Sequence, residues 1–184
     1  MAIFYHGSHA LFDSFDLNHA LEGDGKVKFG YGVYVTSSYS SAAHYSGANP
    51  TSTEHFVYTV EVPDKTTDNS IAFKEPVNCT IVNKAAKTLG QAIPEKVAAD
   101  GKEFRKFLAK ILTGKVDLEG EKAASSFLCS IGVDFIEWPY NWKNPSLGSN
   151  RAILDEGKVR IIRIDSVRLD QKKKLLEGSV KQIR

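Results

Sequence analysis

The stretch Phe29-Gly30-Tyr31-Gly32-Val33-Tyr34-Val35-Thr36-Ser37-Ser38-Tyr39-Ser40-Ser41-Ala42-Ala43-His44-Tyr45 changes character in its middle, and that change governs the reading of the chain. Its first part, YGVYVT, consists of β-branched and aromatic residues that suit a pleated surface, bracketed by Gly30 and the pair Ser37-Ser38. This predicts a strand over 31–36. The serines then open a short helix carrying Ala42, Ala43 and Tyr45, which Gly47 and Pro50 end. By themselves Gly30 and Gly32 read as bulge or turn glycines.

Toward the N-terminus, Ala2-Ile3-Phe4-Tyr5-His6 is short, apolar and aromatic, which predicts a first strand stopped by Gly7-Ser8. A polar loop holding Glu22, Gly23, Asp24 and Gly25 follows it. Toward the C-terminus, HFVYTVEV (55–62) alternates as a half-buried strand does, and Pro63 closes it. Phe104, Phe107, Leu108 and Ile111 then fall at i, i+3, i+4 and i+7, and Ala124, Phe127, Leu128 and Ile131 repeat the spacing, predicting two amphipathic helices. Strand character returns at 133–138, at 151–155, and at 159–169 with a break near Asp165. Strands at both ends with helices between them predict an α+β fold, one domain over 1–184 with a helical insert at about 84–131. Neither GxGxxG after a strand nor GxxxxGK[ST] occurs, which excludes the usual dinucleotide and P-loop phosphate cradles.

A chain of 184 residues, 42% of them hydrophobic, is long enough to close one core, and its mixed charges and spread aromatics exclude a disordered composition. Cys79 and Cys129 stand apart, with no histidine at ligand spacing, so both are expected to be buried reduced thiols and no metal is expected. MAIFYHGSH lacks the regions of a secretory signal, and no apolar run approaches about eighteen residues, so a soluble cytoplasmic protein without a membrane partner is expected. The net charge of +2 conceals an asymmetry: residues 158–184 hold nine Lys or Arg against three acids, or +6. Such an end is either a solvated face or a surface that draws nucleic acid.

FYHGS (4–8), the 29–45 stretch and SNRAILD (149–155), taken in this order, resemble the ADP-ribosyltransferase superfamily in its histidine-tyrosine branch. That branch holds diphtheria-type toxins, poly(ADP-ribose) polymerase-like domains, and small bacterial and phage mono-ADP-ribosyltransferases. The resemblance covers the first fifty residues well and the last forty loosely. It implies an ADP-ribosyltransferase-like split antiparallel β-sheet core with inserted helices, and NAD as the substrate. His6 would hydrogen-bond the adenosine-side ribose, Gly7 would hold the carboxamide through its backbone beside Ser8, and Tyr34 and Tyr45 would sandwich the nicotinamide ring. Asn150 takes the third catalytic position. The implied acceptor is a protein or a nucleic acid, DNA or RNA, and a toxin of this kind would meet a neutralising antitoxin.

The chemistry agrees with the residue types. Nicotinamide in NAD is a flat cation, which two aromatic faces both orient and stabilise by about 0.5 to 2 kcal/mol. Breaking its glycosidic bond passes through an oxocarbenium-like ribose, for which positioning is the protein's main contribution. A glycine beside the histidine leaves room for the backbone to approach the carboxamide. Each residue also has an ordinary reading: His6 as a satisfied histidine, Tyr34 as core, Tyr45 as a helix-face aromatic.

The chain departs from the polymerase-like pattern at two places. Asn150 stands where those members carry a glutamate, and an amide orients a hydroxyl but takes no proton. A single transfer is therefore expected rather than chain elongation, with Glu137, Asp155 and Glu156 as other acids for the position. Ala42 stands where a serine often bonds the carboxamide, and the adjacent Ser41 is expected to point elsewhere on the helix. An NAD glycohydrolase, an inactive NAD-binding module and, more distantly, an RNA 2′-phosphotransferase are the alternative readings.

Overall fold

The apolar and aromatic run Ala2 to Tyr5 opens β1 (Ala2–Ser8), with Ala2 and Phe4 turned to the core, and Ser38 turns the end of β2 (Val33–Thr36) into the start of α1 (Tyr39–Ser46). The Ser38 hydroxyl accepts the Ser41 N–H at 3.3 Å, satisfying one of the donors a helix start leaves open. Next come β3 (Phe56–Val62) and β4 (Ser70–Ala72), then α2 (Cys79–Leu89), α3 (Glu95–Ala98), α4 (Gly101–Thr113) and α5 (Leu118–Ser130). The chain ends with β5 (Phe135–Pro139), β6 (Ser149–Ile153), β7 (Arg160–Ser166) and β8 (Lys181–Gln182). This computed structural model describes residues 1–19 and 27–184; the polar loop expected around Glu22, Gly23, Asp24 and Gly25 lies outside them. Among the described residues no helix is long and apolar enough to cross a membrane.

The strands join in the order β4-β5-β6-β2-β1-β3-β7-β8. The α+β class holds, but the sheet is mixed rather than antiparallel throughout, because β4 pairs β5 in parallel, Ile71 opposite Ile136. A parallel pair needs a long crossover, and α2 to α5 supply it. The helical segment therefore opens at Cys79, earlier than expected, and includes two helices too short or too polar for the periodicity to announce. One other boundary differs. Gly7 and Ser8 continue β1 because Val57 and Phe56 of β3 pair with them. The break expected near Asp165 falls one residue later, where β7 ends at Ser166, and Asp165 itself still pairs with Val57 and Gln182. Cys79 is exposed rather than buried, since α2 turns Ile81 and Ala85 inward.

Two halves of the sheet meet at β1 and β2. Seven register pairs join β1 to β3, from Ala2 opposite Val62 to Ser8 opposite Phe56, whereas Tyr5 opposite Thr36 is the one pair between β1 and β2. Beyond that pair the two strands part, leaving a seam flanked by His6, Gly7 and Ser8. One face of the sheet carries Phe4, Val33, Val35, Phe56, Tyr58 and Phe135 in a common core. On the other face, α4 and α5 pack over β5 and β6, and α1 packs over β1 and β3.

Candidate active site at the strand seam

His6 crosses the seam. Its Nδ1 lies 2.8 Å from the Tyr34 carbonyl oxygen, which only accepts, so Nδ1–H donates and the ring is neutral or fully protonated. Burial pushes its pKa below the ordinary histidine value of 6.5, against the smaller opposing pull of that carbonyl. The neutral Nδ1–H tautomer follows, with Nε2 left as an acceptor. Phe15 stands edge-on to the ring at 5.0 Å, with Phe12 and Tyr58 at 6.2 and 6.1 Å, so its orientation is fixed by packing. The Tyr58 hydroxyl holds that aromatic wall in place, accepting from Phe12 N–H at 2.8 Å and donating to the Ala10 carbonyl at 2.9 Å.

Gly7 is required by α1. A β-carbon there would stand 1.8 Å from the Ala42 carbonyl oxygen and 2.8 Å from the Ser46 nitrogen, so the helix backbone lies directly on the strand. Ala42 and Ala43 are small enough to allow that approach and are fully buried beside Val57 and Val167. The same seating leaves Tyr45 on the outer side of α1, 62% exposed, with only the His44 ring beside it, edge-on at 5.9 Å. Ser41, expected to point away, is buried and donates to Ser38 Oγ at 3.0 Å.

Tyr34 is half-buried against the edge of Trp138 at 5.6 Å. Its hydroxyl donates to the Gly30 carbonyl at 2.9 Å and accepts the Phe29 N–H at 3.1 Å, closing the 29–34 segment on itself. Burial pushes the phenol up to about 12, so it stays protonated. Tyr34 and Tyr45 make no ring contact with each other.

Asn150 heads β6 opposite Thr36 of β2 and Trp138 of β5. Because side chains alternate, it shares a sheet face with Tyr34, two residues along the neighbouring strand from Thr36. It is half-buried, and its amide has no hydrogen-bond partner among the described residues. The three other acids are placed differently. Glu137 is opposite Arg151, on the other face from Asn150, and binds Arg151 Nε at 2.9 Å and Lys65 Nζ at 2.7 Å. Burial acts to raise its carboxyl, but the two cations together hold it below the ordinary carboxylate range. Asp155 accepts the Gly157 N–H at 2.9 Å as the cap of the turn that contains Glu156, at the far end of β6. A cleft of about 390 Å³ opens beside the head of β6, between Trp138, Trp142, Lys74 and Ser149.

One pair that bears on the site was not anticipated. Arg105 of α4 and Glu121 of α5 form a buried ion pair, and Arg105 Nη2 also donates to the Lys28 carbonyl at 3.2 Å, tying down the segment that leads into Tyr34. A signal existed: Gly101, Phe104, Arg105 and Leu108, like Glu121, Ala124, Ser125 and Leu128, place one charge at a core-facing helical spacing. The chain matches no protein-family model, no curated protein and no solved structure.

Proposed function

We propose that the chain is an NAD-dependent mono-ADP-ribosyltransferase that moves ADP-ribose from NAD to a macromolecular acceptor and releases nicotinamide. What supports this reading is the placing of positions 6, 7 and 34 where β1 and β2 part, with position 45 on the helix seated on Gly7 and position 150 on the strand beside Tyr34. Nothing in helix or strand formation requires a tyrosine exposed on α1, an amide without a partner among the described residues and a histidine that bridges β1 to β2. The nicotinamide-binding chemistry would use all three.

In this reading His6 Nε2 accepts from a ribose hydroxyl, Tyr34 and Tyr45 flank the pyridinium, and the Asn150 amide orients the ribose next to the scissile bond. The bond between nicotinamide nitrogen and ribose C1′ breaks with its electron pair passing to nicotinamide, which leaves neutral. A lone pair of the acceptor then bonds C1′, and the acceptor's proton is lost to solvent. Among the described residues, the amide of Asn150 stands at the third position in place of a carboxylate that could take that proton, which favours one transfer per acceptor.

Incubation with labelled NAD and cell extract, followed by protease or nuclease, tests the reading. Label is expected on a macromolecule; it should disappear with His6→Ala and fall, at NAD below saturation, with Tyr45→Ala. Free ADP-ribose without a labelled target identifies a glycohydrolase, and NAD that binds but survives identifies a binding module. Either result removes the transferase.

A further inference from the structure

The basic end of the chain is folded into a defined device. From Val167 onward the backbone doubles back, with Leu169 bridged to Leu175 and the Leu176 N–H donating to the Arg168 carbonyl at 2.9 Å. Leu169 and Leu175 pack into the apolar cluster beneath α1. At the tip, the Asp170 carboxylate accepts the N–H groups of Lys172 and Lys174, each at 2.8 Å. The acid nearest the lysines is thus turned onto backbone donors. The side chains of Lys172, Lys173 and Lys174, and those of the flanking Arg168 and Lys181, form no ion pair with any described residue. Three cations stand on a built turn without an ion-pair partner among the described residues.

Lys173 is the one described non-glycine residue with positive φ, at 60°. A glycine would occupy that conformation without strain, so a lysine there points to use of its charge. The tip is also placed: a β-carbon on Gly47, the C-cap of α1, would stand 3.4 Å from Lys173 Cγ. The lysines therefore adjoin the end of the helix that carries the exposed His44 and Tyr45. Residues 170–174 at the tip are all polar, no aromatic residue occurs from 167 to 184, and the exposed Leu176, Val180 and Ile183 follow the turn rather than sit in it, so the tip meets a partner through charge and not through an inserting apolar face.

We infer that the Lys172-Lys173-Lys174 tip is a docking surface for the phosphate backbone of a nucleic acid, holding the strand beside Tyr45. As an acceptor-docking surface it rests on the transferase reading; as a nucleic-acid-binding surface it does not.

The test is fluorescence anisotropy of the full chain with labelled single-stranded DNA and RNA oligonucleotides, without NAD, so that its failure is independent of any failure of the transferase. The variants are Lys172→Gln with Lys174→Gln, Lys173→Gly, and all three together; Lys87→Gln with Lys110→Gln on the remote helices is the control. Binding is expected to weaken with salt, and the triple variant should reduce the slope of log affinity on log salt by about 2 while the control pair leaves it unchanged. Lys173→Gly, which relieves the strained turn, should weaken binding without unfolding the protein. The inference is overturned if no oligonucleotide binds, if the tip variants bind as the unaltered chain does, or if the control pair loses as much. It is also overturned if phosphatidylserine vesicles or polyglutamate bind the tip and oligonucleotides do not. Lys173→Gly that lowers stability yet spares binding would assign that lysine to the helix end instead.

Discussion

Replacing Gly7 by alanine tests the link between packing and chemistry. The added β-carbon would meet the Ala42 carbonyl oxygen at 1.8 Å and its carbon at 2.7 Å, where ordinary contact begins near 3.4 Å. Either α1 withdraws by about 1.6 Å or β1 does. Seven pairs with β3 hold the strand, and Ala42 and Ala43, fully buried, hold the helix, so neither yields cheaply. Overpacking of this kind costs about 1–3 kcal/mol, and a backbone clash falls at the upper end. With about 2–4 °C of melting temperature per kcal/mol for a chain of this size, a fall of about 6–12 °C is expected. Because Tyr45 moves with α1, and displacement of about 1 Å at a reacting centre can cost about a hundredfold, NAD consumption should drop at least that far in the protein that remains folded. Gly90→Ala is the control: Gly90 has φ 68° and open space around it, so alanine there should cost about 1 kcal/mol in backbone strain and leave turnover unchanged. Thermal denaturation followed by circular dichroism, with nicotinamide release on the same samples, reads both effects. A Gly7→Ala protein that melts with the unaltered one refutes the seating of α1. One that melts early yet consumes NAD normally refutes the link from α1 through Tyr45 to the reaction.

Tyr45→Ala, at an exposed position, should change stability by no more than about 0.5 kcal/mol while raising the KM for NAD about 2- to 30-fold, as loss of one cation–aromatic face implies; unchanged NAD kinetics would remove Tyr45 from the site. Glu121→Ala strands the buried Arg105 guanidinium and should cost about 3–5 kcal/mol in urea unfolding, with a double Arg105→Met, Glu121→Leu variant recovering most of it. Burial lowers the His6 pKa, so the unfolded chain takes up the proton first. The stabilisation is complete above the ordinary histidine value of 6.5 and is lost as pH falls through the lower folded value. Urea midpoints measured against pH should therefore decline below 6.5, and His6→Asn should flatten that decline.

Much of the scaffold was legible because it is written in local periodicity. The stripes of Phe104, Leu108, Ala124 and Leu128 announce α4 and α5, and the alternation of Phe56 to Val62 announces β3. Ser38 marks the passage from β2 to α1 by its chemistry as a cap. What escaped has no local signature. β4 is three residues and β8 is two, too short for any repeat, and each exists only because a distant strand offers it hydrogen bonds. Gly7 and Ser8 read as a stop, yet pairing with Val57 and Phe56 outweighs the weak strand preference of glycine. Cys79 read as buried by residue type, while its place on α2 turns it outward.

The same division applies to the candidate site. The sequence by itself determined which side chains are available, a histidine, an adjoining glycine, two tyrosines eleven residues apart and an asparagine, because chemistry belongs to residue identity and a strand-to-helix turn to local pattern. Only the tertiary structure decided where they stand. Register between β2, β5 and β6 put Asn150 on the face of Tyr34 and Glu137 on the other, since a shift of one residue exchanges the faces of a strand. The single pair joining β1 to β2 opened the seam, and the contact of Gly7 with α1 seated against β1 the helix that carries Tyr45. These are long-range contacts between backbones, and no spacing along the chain encodes them.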